Sequence, residues 1–157
     1  MDNELIQVAM GQKHADIVIK NGKLVNVITH EVYETEIAIA NGKIASIGPV
    51  PAGAVGPDTQ VIDAKGMYLA PGFMDAHIHI ESSMLSYTEF AKMVVKHGTT
   101  AVATDLMEVT IVSGVEGMKE VLAESKNTPV KLYYPVPAFM EENGLQTTGS
   151  TLHPEMI

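Results

Sequence analysis

Residues 71–81 (PGFMDAHIHIE) constrain this chain more than any other stretch. In an extended strand, alternate side chains point to opposite faces, so one face here would be apolar. The other face would carry a run of ionisable groups, formed by Asp75, His77, His79 and Glu81. An unpaired buried charge is costly, which makes such a run unusual unless it has a use. Two imidazoles at i and i+2 can converge on one cation, so His77 and His79 are candidate metal ligands.

Composition limits the remaining possibilities. The 157 residues suffice for one ordinary domain or for pieces of two. A formal net charge of -9 argues against a nucleic-acid or acidic-membrane partner, because there is no basic patch to neutralise phosphates. Without cysteine, a transition-metal site must use His, Asp and Glu, which suits Zn, Mn or Fe. The acidic start of the chain is followed by no long apolar run, so we expect a cytoplasmic protein without a membrane span.

Residues 1–70 are predicted to form an all-β module without a catalytic constellation. A short helix is expected before residue 14, and short apolar runs separated by turns follow it. Asn21-Gly22 and Asn41-Gly42 each lie between two apolar runs, which predicts two hairpins with type I′ turns. Residues 49–60 are rich in proline and glycine and are predicted to be a loop.

Residues 71–157 are predicted to alternate strands with helices. Ser86 followed by Glu89 matches a capping box, and His97-Gly98 would end the helix that begins there. We then expect a strand at 99–104, a helix at 115–125, a strand at 130–137 and a helix beginning near His153. This order implies parallel strands with helical crossovers, whose functional groups collect at the carboxyl ends of the strands. Four ionisable side chains fall at that edge: His77, His79, Asp105 and Glu108.

Residues 71–79 closely resemble the first barrel strand of the amidohydrolase superfamily, with its Pro-Gly-Phe-x-Asp-x-His-x-His signature. Residues 15–23 resemble the amino-terminal β-sandwich segment of the same superfamily. Residues 80–85 and 97–100 resemble the bacterial adenine deaminase branch in particular. Residues 134–138 and 147–149 are similar to the third-strand region of that branch.

The resemblance implies an α/β fold in two parts. Residues 1–70 would be the β-sandwich segment, and residues 71–157 would be the first three β/α units of an incomplete TIM-type barrel. A complete (β/α)8 barrel needs about 250 residues, so we expect an amino-terminal fragment that is inactive alone. The open edge of a three-stranded parallel sheet predicts a homo-oligomer, or association with the remainder of the barrel.

The resemblance also implies a metal-dependent hydrolase. His77 and His79 match the first-strand ligands of a site that holds two divalent ions, Mn, Fe or Zn. Such ions lower the pKa of bound water towards 7. In an adenine deaminase the resulting hydroxide attacks C6 of the purine, so a purine-like substrate is expected and hypoxanthine and ammonia result. The other site assignments are Asp75 orienting an imidazole, Asp105 and Glu108 as catalytic residues, and Glu81 as a substrate-binding residue.

Alternatives remain for the function and for these carboxylates. Adenine deaminases commonly carry Asp-Pro-His-Glu where this chain has Asp105-Leu106-Met107-Glu108, so the histidine position holds a methionine. The chain therefore also fits another cyclic-amide or aminopurine hydrolase. Two further alternatives are a non-catalytic binding module and one part of a split enzyme. Asp105 and Glu108 would alternatively cap the segment that follows them, and Glu81 would be a carboxylate favoured at a helix start.

Overall fold

A computed structural model describes residues 3–135, 149–150 and 155. The chain divides into two compact units, Met1–Pro71 and Gly72–Ile157. Strands and helices occur together, which confirms the predicted α/β class. The assignment of the two units as a sandwich segment and the start of a barrel stays a prediction. Among the described residues, no helix has the length and apolarity needed to cross a bilayer.

The first unit is built on a five-stranded sheet with strand order β3-β2-β1-β4, in which β5 also pairs with β1. The β1–β2 and β2–β3 pairs are antiparallel, whereas β4 and β5 run parallel to β1. Its elements are α1 (Asn3–Ala9), β1 (Ile17–Asn26), β2 (Glu31–Ala40), β3 (Lys43–Ile47), a 3-10 turn (Ala52–Ala54), β4 (Gln60–Asp63) and β5 (Tyr68–Leu69).

The first predicted hairpin is wrong. Strand β1 continues through Asn21-Gly22, and its register against β2 shifts there, as at a β-bulge. Asn21 has a φ of 55°, and its side-chain amide donates to Asp63 Oδ1 at 3.0 Å. An Asn-Gly pair signals a positive φ, and a bulge satisfies that requirement as well as a turn does. The second prediction is confirmed, since Asn41 and Gly42 have φ values of 52° and 68° between β2 and β3.

The second unit is a parallel sheet with strand order β6-β7-β8. Its elements are β6 (Phe73–Asp75), a 3-10 turn (Ile80–Ser83), α2 (Tyr87–Val95), β7 (Thr99–Ala103), α3 (Met107–Ser125) and β8 (Lys131–Tyr133). The predicted alternation of strands and helices is therefore confirmed as far as β8. Residues 136–137 of the last predicted strand and the helix expected near His153 lie outside the described residues.

The signature strand is shorter than predicted, because β6 ends at Asp75. One more hydrogen bond joins the chain to β7 beyond this point, from Ile78 N to Ala103 O at 3.0 Å. The chain then curls into the 3-10 turn, so the prediction of a strand as far as Glu81 is wrong. The curl buries Ile80, which is only 4% exposed and packs into a core cluster with Tyr87.

Helix α2 packs one face into that core. Its buried residues are Tyr87, Phe90 and Ala91, an i, i+3, i+4 spacing that follows the helical period. The predicted cap is confirmed, since Ser86 Oγ accepts from Glu89 N at 3.4 Å. Gly98, with a φ of 91°, lies where the helix was predicted to end.

Helix α3 consists of two helical segments joined at Gly114. The backbone there is not helical (φ 63°, ψ −157°), and the segment after it matches the predicted helix at 115–125. The preceding segment, residues 107–113, was missed by the sequence pattern. It begins after Leu106, which lies in the left-handed region with φ 49°, and Asp105 Oδ1 accepts the hydrogen bond of Met107 N at 3.2 Å.

Candidate metal centre

The two signature histidines lie just beyond the carboxyl end of β6. His77 Nε2 and His79 Nε2 are 3.2 Å apart, and the two rings meet edge to face with centroids 5.0 Å apart. Asp75 Oδ1 accepts the backbone N–H of His77 at 3.1 Å. The Asp75 carboxylate therefore binds the backbone of His77 rather than a ring nitrogen in this contact. Its predicted role in orienting an imidazole stays a prediction.

Two carboxylates, one in the segment after β7 and one in the first turn of α3, lie close to the second histidine. His79 Nδ1 lies 3.2 Å from Glu108 Oε2 and 3.3 Å from Asp105 Oδ1. These residues follow two strands that are adjacent in the parallel sheet. This agrees with the rule used in the sequence analysis, here called the strand-end rule, that functional groups collect at the carboxyl ends of parallel strands. The predicted site residues of both strands therefore lie together.

Two overlapping groups of donors have the spacing of a cation site. Within each group the possible ligand atoms lie within 4.8 Å of one another: one group is His77, His79 and Asp105, and the other is His79, Glu81 and Glu108. Zinc binds histidine nitrogen at about 2.0–2.1 Å, so two nitrogens in a tetrahedral site lie about 3.3–3.4 Å apart. The observed 3.2 Å between the two Nε2 atoms is close to that separation. The nitrogen and oxygen donors therefore fit a divalent metal ion.

Glu81 is a buried carboxylate beside this cluster. Neither of its oxygens is exposed, and neither has a hydrogen-bond partner of normal geometry in the part of the chain that the structure describes. Burial raises the pKa of Glu81, and the nearby Glu108 carboxyl raises it further. An orphaned polar group of this kind is costly in a folded protein, which suits a group that a ligand completes.

Glu108 has the opposite electrostatic character. Burial alone would raise its pKa, but its own backbone N–H, the Glu81 carboxyl and the His79 ring together lower the pKa below the ordinary value. The first turn of a helix also favours a negative charge. The pair is therefore asymmetric: Glu81 holds a proton more readily, and Glu108 stays ionised towards His79.

Tyr134 is a residue at this edge that the sequence reasoning did not assign to the site. It follows β8, and its hydroxyl donates to Met118 Sδ at 3.2 Å. Burial raises the pKa of Tyr134, and the negative charge of Asp105 raises it further. Its position directly after the third strand was the signal that could have identified it, since the same rule selected Asp105.

Comparison with known proteins agrees with the signature. Residues 60–129 match the model of the Amidohydrolase family. The chain is 47% identical over 155 residues to an adenine deaminase of Moorella thermoacetica and 46% identical over 156 residues to one of Ruegeria sp.. The chain is therefore similar to the amidohydrolase family over residues 60–129 and to adenine deaminases over almost its whole length. Each alignment covers 98% of the chain but 26% of the relative, so the chain spans about a quarter of the length of those proteins.

Solved structures of low identity support the fold. The chain resembles the L-hydantoinase (dihydropyrimidinase) of Arthrobacter aurescens with a TM-score of 0.58 and 22% identity, over 76% of this chain and 27% of that one. It also resembles molinate hydrolase with a TM-score of 0.53 and 18% identity, over 77% and 30% of the two chains. These similarities concern the fold alone. They agree with the predicted α/β fold class, and the sequence relatives confirm the predicted resemblance to amidohydrolases.

Proposed function

We propose that the whole protein containing this chain catalyses the metal-dependent hydrolytic deamination of a purine base, converting adenine and water to hypoxanthine and ammonia. The observation that carries the proposal is the similarity to adenine deaminases, at 43–47% identity over nearly all of the chain. The donor cluster at the end of β6 supports it independently, because hydrolysis of a stable aminopurine at neutral pH needs an activated water.

In this proposal His77 and His79 hold a divalent cation through Nε2, and Asp105 offers an oxygen beside them. When bound, the ion supplies hydroxide at neutral pH by lowering the pKa of its water. The donor set of imidazole nitrogen and carboxylate oxygen accepts Mn, Fe and Zn. A second ion would need donors from parts of the protein beyond these residues.

The remaining carboxylates would handle the substrate and its protons. Neither oxygen of Glu81 has a hydrogen-bond partner of normal geometry among the described residues, so this carboxyl is suited to bind an N–H of the purine and to fix the ring. Asp105 and Glu108 lie at hydrogen-bonding distance from His79 and are placed to accept a proton during attack at C6 and to return one to the departing ammonia.

The three parallel strands of the second unit would supply one part of a catalytic barrel. We propose that the 157-residue chain alone lacks deaminase activity, and that the remainder of the barrel or further copies of the chain complete the parallel sheet. A parallel sheet with open edges exposes unpaired backbone groups and apolar surface, which favours such association.

The activity is tested by incubating the whole protein with adenine, alongside hydantoin and dihydropyrimidine substrates, and measuring ammonia and ring products by chromatography. Formation of hypoxanthine and equimolar ammonia from adenine is the expected result. Turnover of a cyclic amide without turnover of adenine would replace the proposal by the alternative amidohydrolase activity. Absence of turnover on either class would favour the non-catalytic alternative.

The metal ligands are tested separately by metal content. We expect His77→Ala and His79→Ala to lose most of the divalent metal that the purified whole protein retains. His97→Ala is the matched control, because His97 is an exposed histidine of the same unit, past the end of α2. Unchanged metal content in both signature variants would refute the ligand assignment.

A further inference from the structure

The two nitrogens of His79 have opposite surroundings. Nδ1 faces oxygens of Glu108 and Asp105 at 3.2 and 3.3 Å, whereas Nε2 faces the Nε2 atom of His77 at 3.2 Å. An ionised carboxylate only accepts hydrogen bonds, and a neutral imidazole has one N–H and one lone pair. If the lone pair were on Nδ1, it would point at two negatively charged groups. The surroundings therefore place the proton on Nδ1 and the lone pair on Nε2.

Of the two carboxylates, Glu108 is the better acceptor. Its contact with His79 meets the angular requirements of a hydrogen bond, whereas the Asp105 contact is one of distance alone. The same oxygen of Asp105 already accepts Met107 N at 3.2 Å. One oxygen of Asp105 is therefore engaged at the start of α3, whereas Glu108 is directed at the imidazole.

The backbone holds Glu108 in place. Leu106 is 1% exposed and in the left-handed region, and its carbonyl accepts Thr110 N at 2.9 Å, so the first turn of α3 is anchored in the unit. A carboxylate in a first helical turn is stabilised by the helix dipole. A rigid element with a favourable field is suited to positioning another side chain.

We propose that Glu108 is a positioning residue for His79: it keeps the imidazole proton on Nδ1, so that the Nε2 lone pair faces the Nε2 atom of His77 and can accept a cation there. The role rests on the proposed function only in treating His79 as a metal ligand. It does not depend on which purine or cyclic amide the whole protein hydrolyses. In this proposal Glu108 acts through His79 and does not contact the reacting atoms itself.

The first test reads the tautomer directly. The whole protein is labelled with ¹⁵N at histidine only, freed of metal, and studied by long-range ¹H–¹⁵N NMR over a pH series that extends until the His79 signals stop changing, where the imidazole is neutral. The His79 signals are identified by their loss in His79→Gln. We expect the Nδ1–H form in the wild type and a shift towards the Nε2–H form in Glu108→Ala. Glu108→Gln retains an oxygen acceptor and is expected to recover much of the Nδ1–H form.

The second test reads metal affinity by competition with a zinc chelator. Removing an outer hydrogen-bond partner of a metal-bound histidine typically weakens binding about 10–100-fold, so we expect that loss in Glu108→Ala and a smaller loss in Glu108→Gln. Glu120→Ala is the matched control, since Glu120 is an exposed carboxylate on the same helix.

The outcomes are separable from the deamination assay. A tautomer shift with weakened zinc binding supports the proposal whether or not adenine is turned over. An unchanged Nδ1–H form in Glu108→Ala refutes it, and so does zinc affinity within about twofold of Glu120→Ala. Equal loss of affinity in the Ala and Gln variants with no change of tautomer also refutes it, because the carboxylate would then act through its charge alone.

Discussion

Removal of the Glu124 carboxylate should loosen the start of α2, although Glu124 belongs to α3. The first N–H groups of a helix have no partner within the helix. In α2, Thr88 N donates to Glu124 Oε1 at 2.8 Å, and Glu89 N donates to Ser86 Oγ at 3.4 Å. The helix is therefore capped from two directions, by its own N-cap serine and by a side chain of a neighbouring helix.

The magnitude follows from the type of bond. Loss of a side-chain cap typically costs about 0.5–2 kcal/mol, and a hydrogen bond to a charged group is worth about 1.5–3 kcal/mol. Since Glu124 is partly exposed, we expect Glu124→Ala to lower the free energy of unfolding by about 1–2 kcal/mol. Glu124→Gln keeps an oxygen acceptor without the charge, and we expect about half that loss.

The effect should depend on pH with a definite sign. Burial alone would raise the pKa of Glu124, but hydrogen bonds from Thr88, Ser86 and Tyr87 lower it overall. A carboxyl whose pKa is lower in the folded state stabilises the fold fully above its unfolded pKa, about 4.3 for glutamate. That stabilisation is lost as the pH falls through the folded pKa. The difference between wild type and Glu124→Ala should therefore shrink in acid.

Amide hydrogen exchange by NMR measures the effect at the residue concerned, and urea unfolding followed by circular dichroism measures it globally. In Glu124→Ala the Thr88 amide should exchange faster, while amides in the last turn of α2 change little. Glu120→Ala, on the same helix and exposed, is the control. If Glu124→Ala stays within about 0.5 kcal/mol of that control and the Thr88 amide is equally protected in both, the cross-helix cap contributes nothing.

Two further substitutions test the packing of the second unit, with urea unfolding as the measurement. Phe90→Ala should lower the free energy of unfolding by about 3–5 kcal/mol, because Phe90 is 6% exposed in the core. Its control is Met93→Ala, at a position 57% exposed, which should lower it by under about 1 kcal/mol. Similar losses in the two variants would contradict the burial of Phe90. Gly114→Ala should cost about 1–3 kcal/mol because its φ is +63° and a Cβ there would meet the Ser150 side chain. Adding Ser150→Ala should recover only part of that loss, and full recovery would show that the backbone is not strained.

Local signals in the sequence predicted the second unit well. The Ser86 and Glu89 pair marked the true start of α2, because a capping interaction is complete within four residues. The β-branched run at 99–104 became β7, with Val102 fully buried. The hairpin predicted at Asn21-Gly22 was wrong because an Asn-Gly pair indicates a positive φ and not necessarily a turn. Whether the chain forms a turn or a bulge there is decided by the pairing of β1 with β2.

The candidate site was predictable in part. The strand-end rule brought Asp105 and Glu108 near His79 without any knowledge of side-chain direction. It could not tell which carboxylate faces the ring, because that depends on the left-handed backbone of Leu106, a conformation that leucine rarely adopts. Nor could it show that the Glu81 oxygens are buried with no partner of normal geometry in the described part of the chain, because Glu81 was predicted in a strand and lies in a 3-10 turn.

The early end of β6 also changes how the histidine pair forms a site. In a regular strand, residues i and i+2 are about 6.5–7 Å apart along the chain and project in parallel. The Nε2 atoms of His77 and His79 are instead 3.2 Å apart, so the rings converge. They converge where the chain leaves the strand and curls to bury Ile80, an apolar residue that is 4% exposed. Core packing at Ile80 thereby helps to set the spacing of two nitrogens that fit one cation.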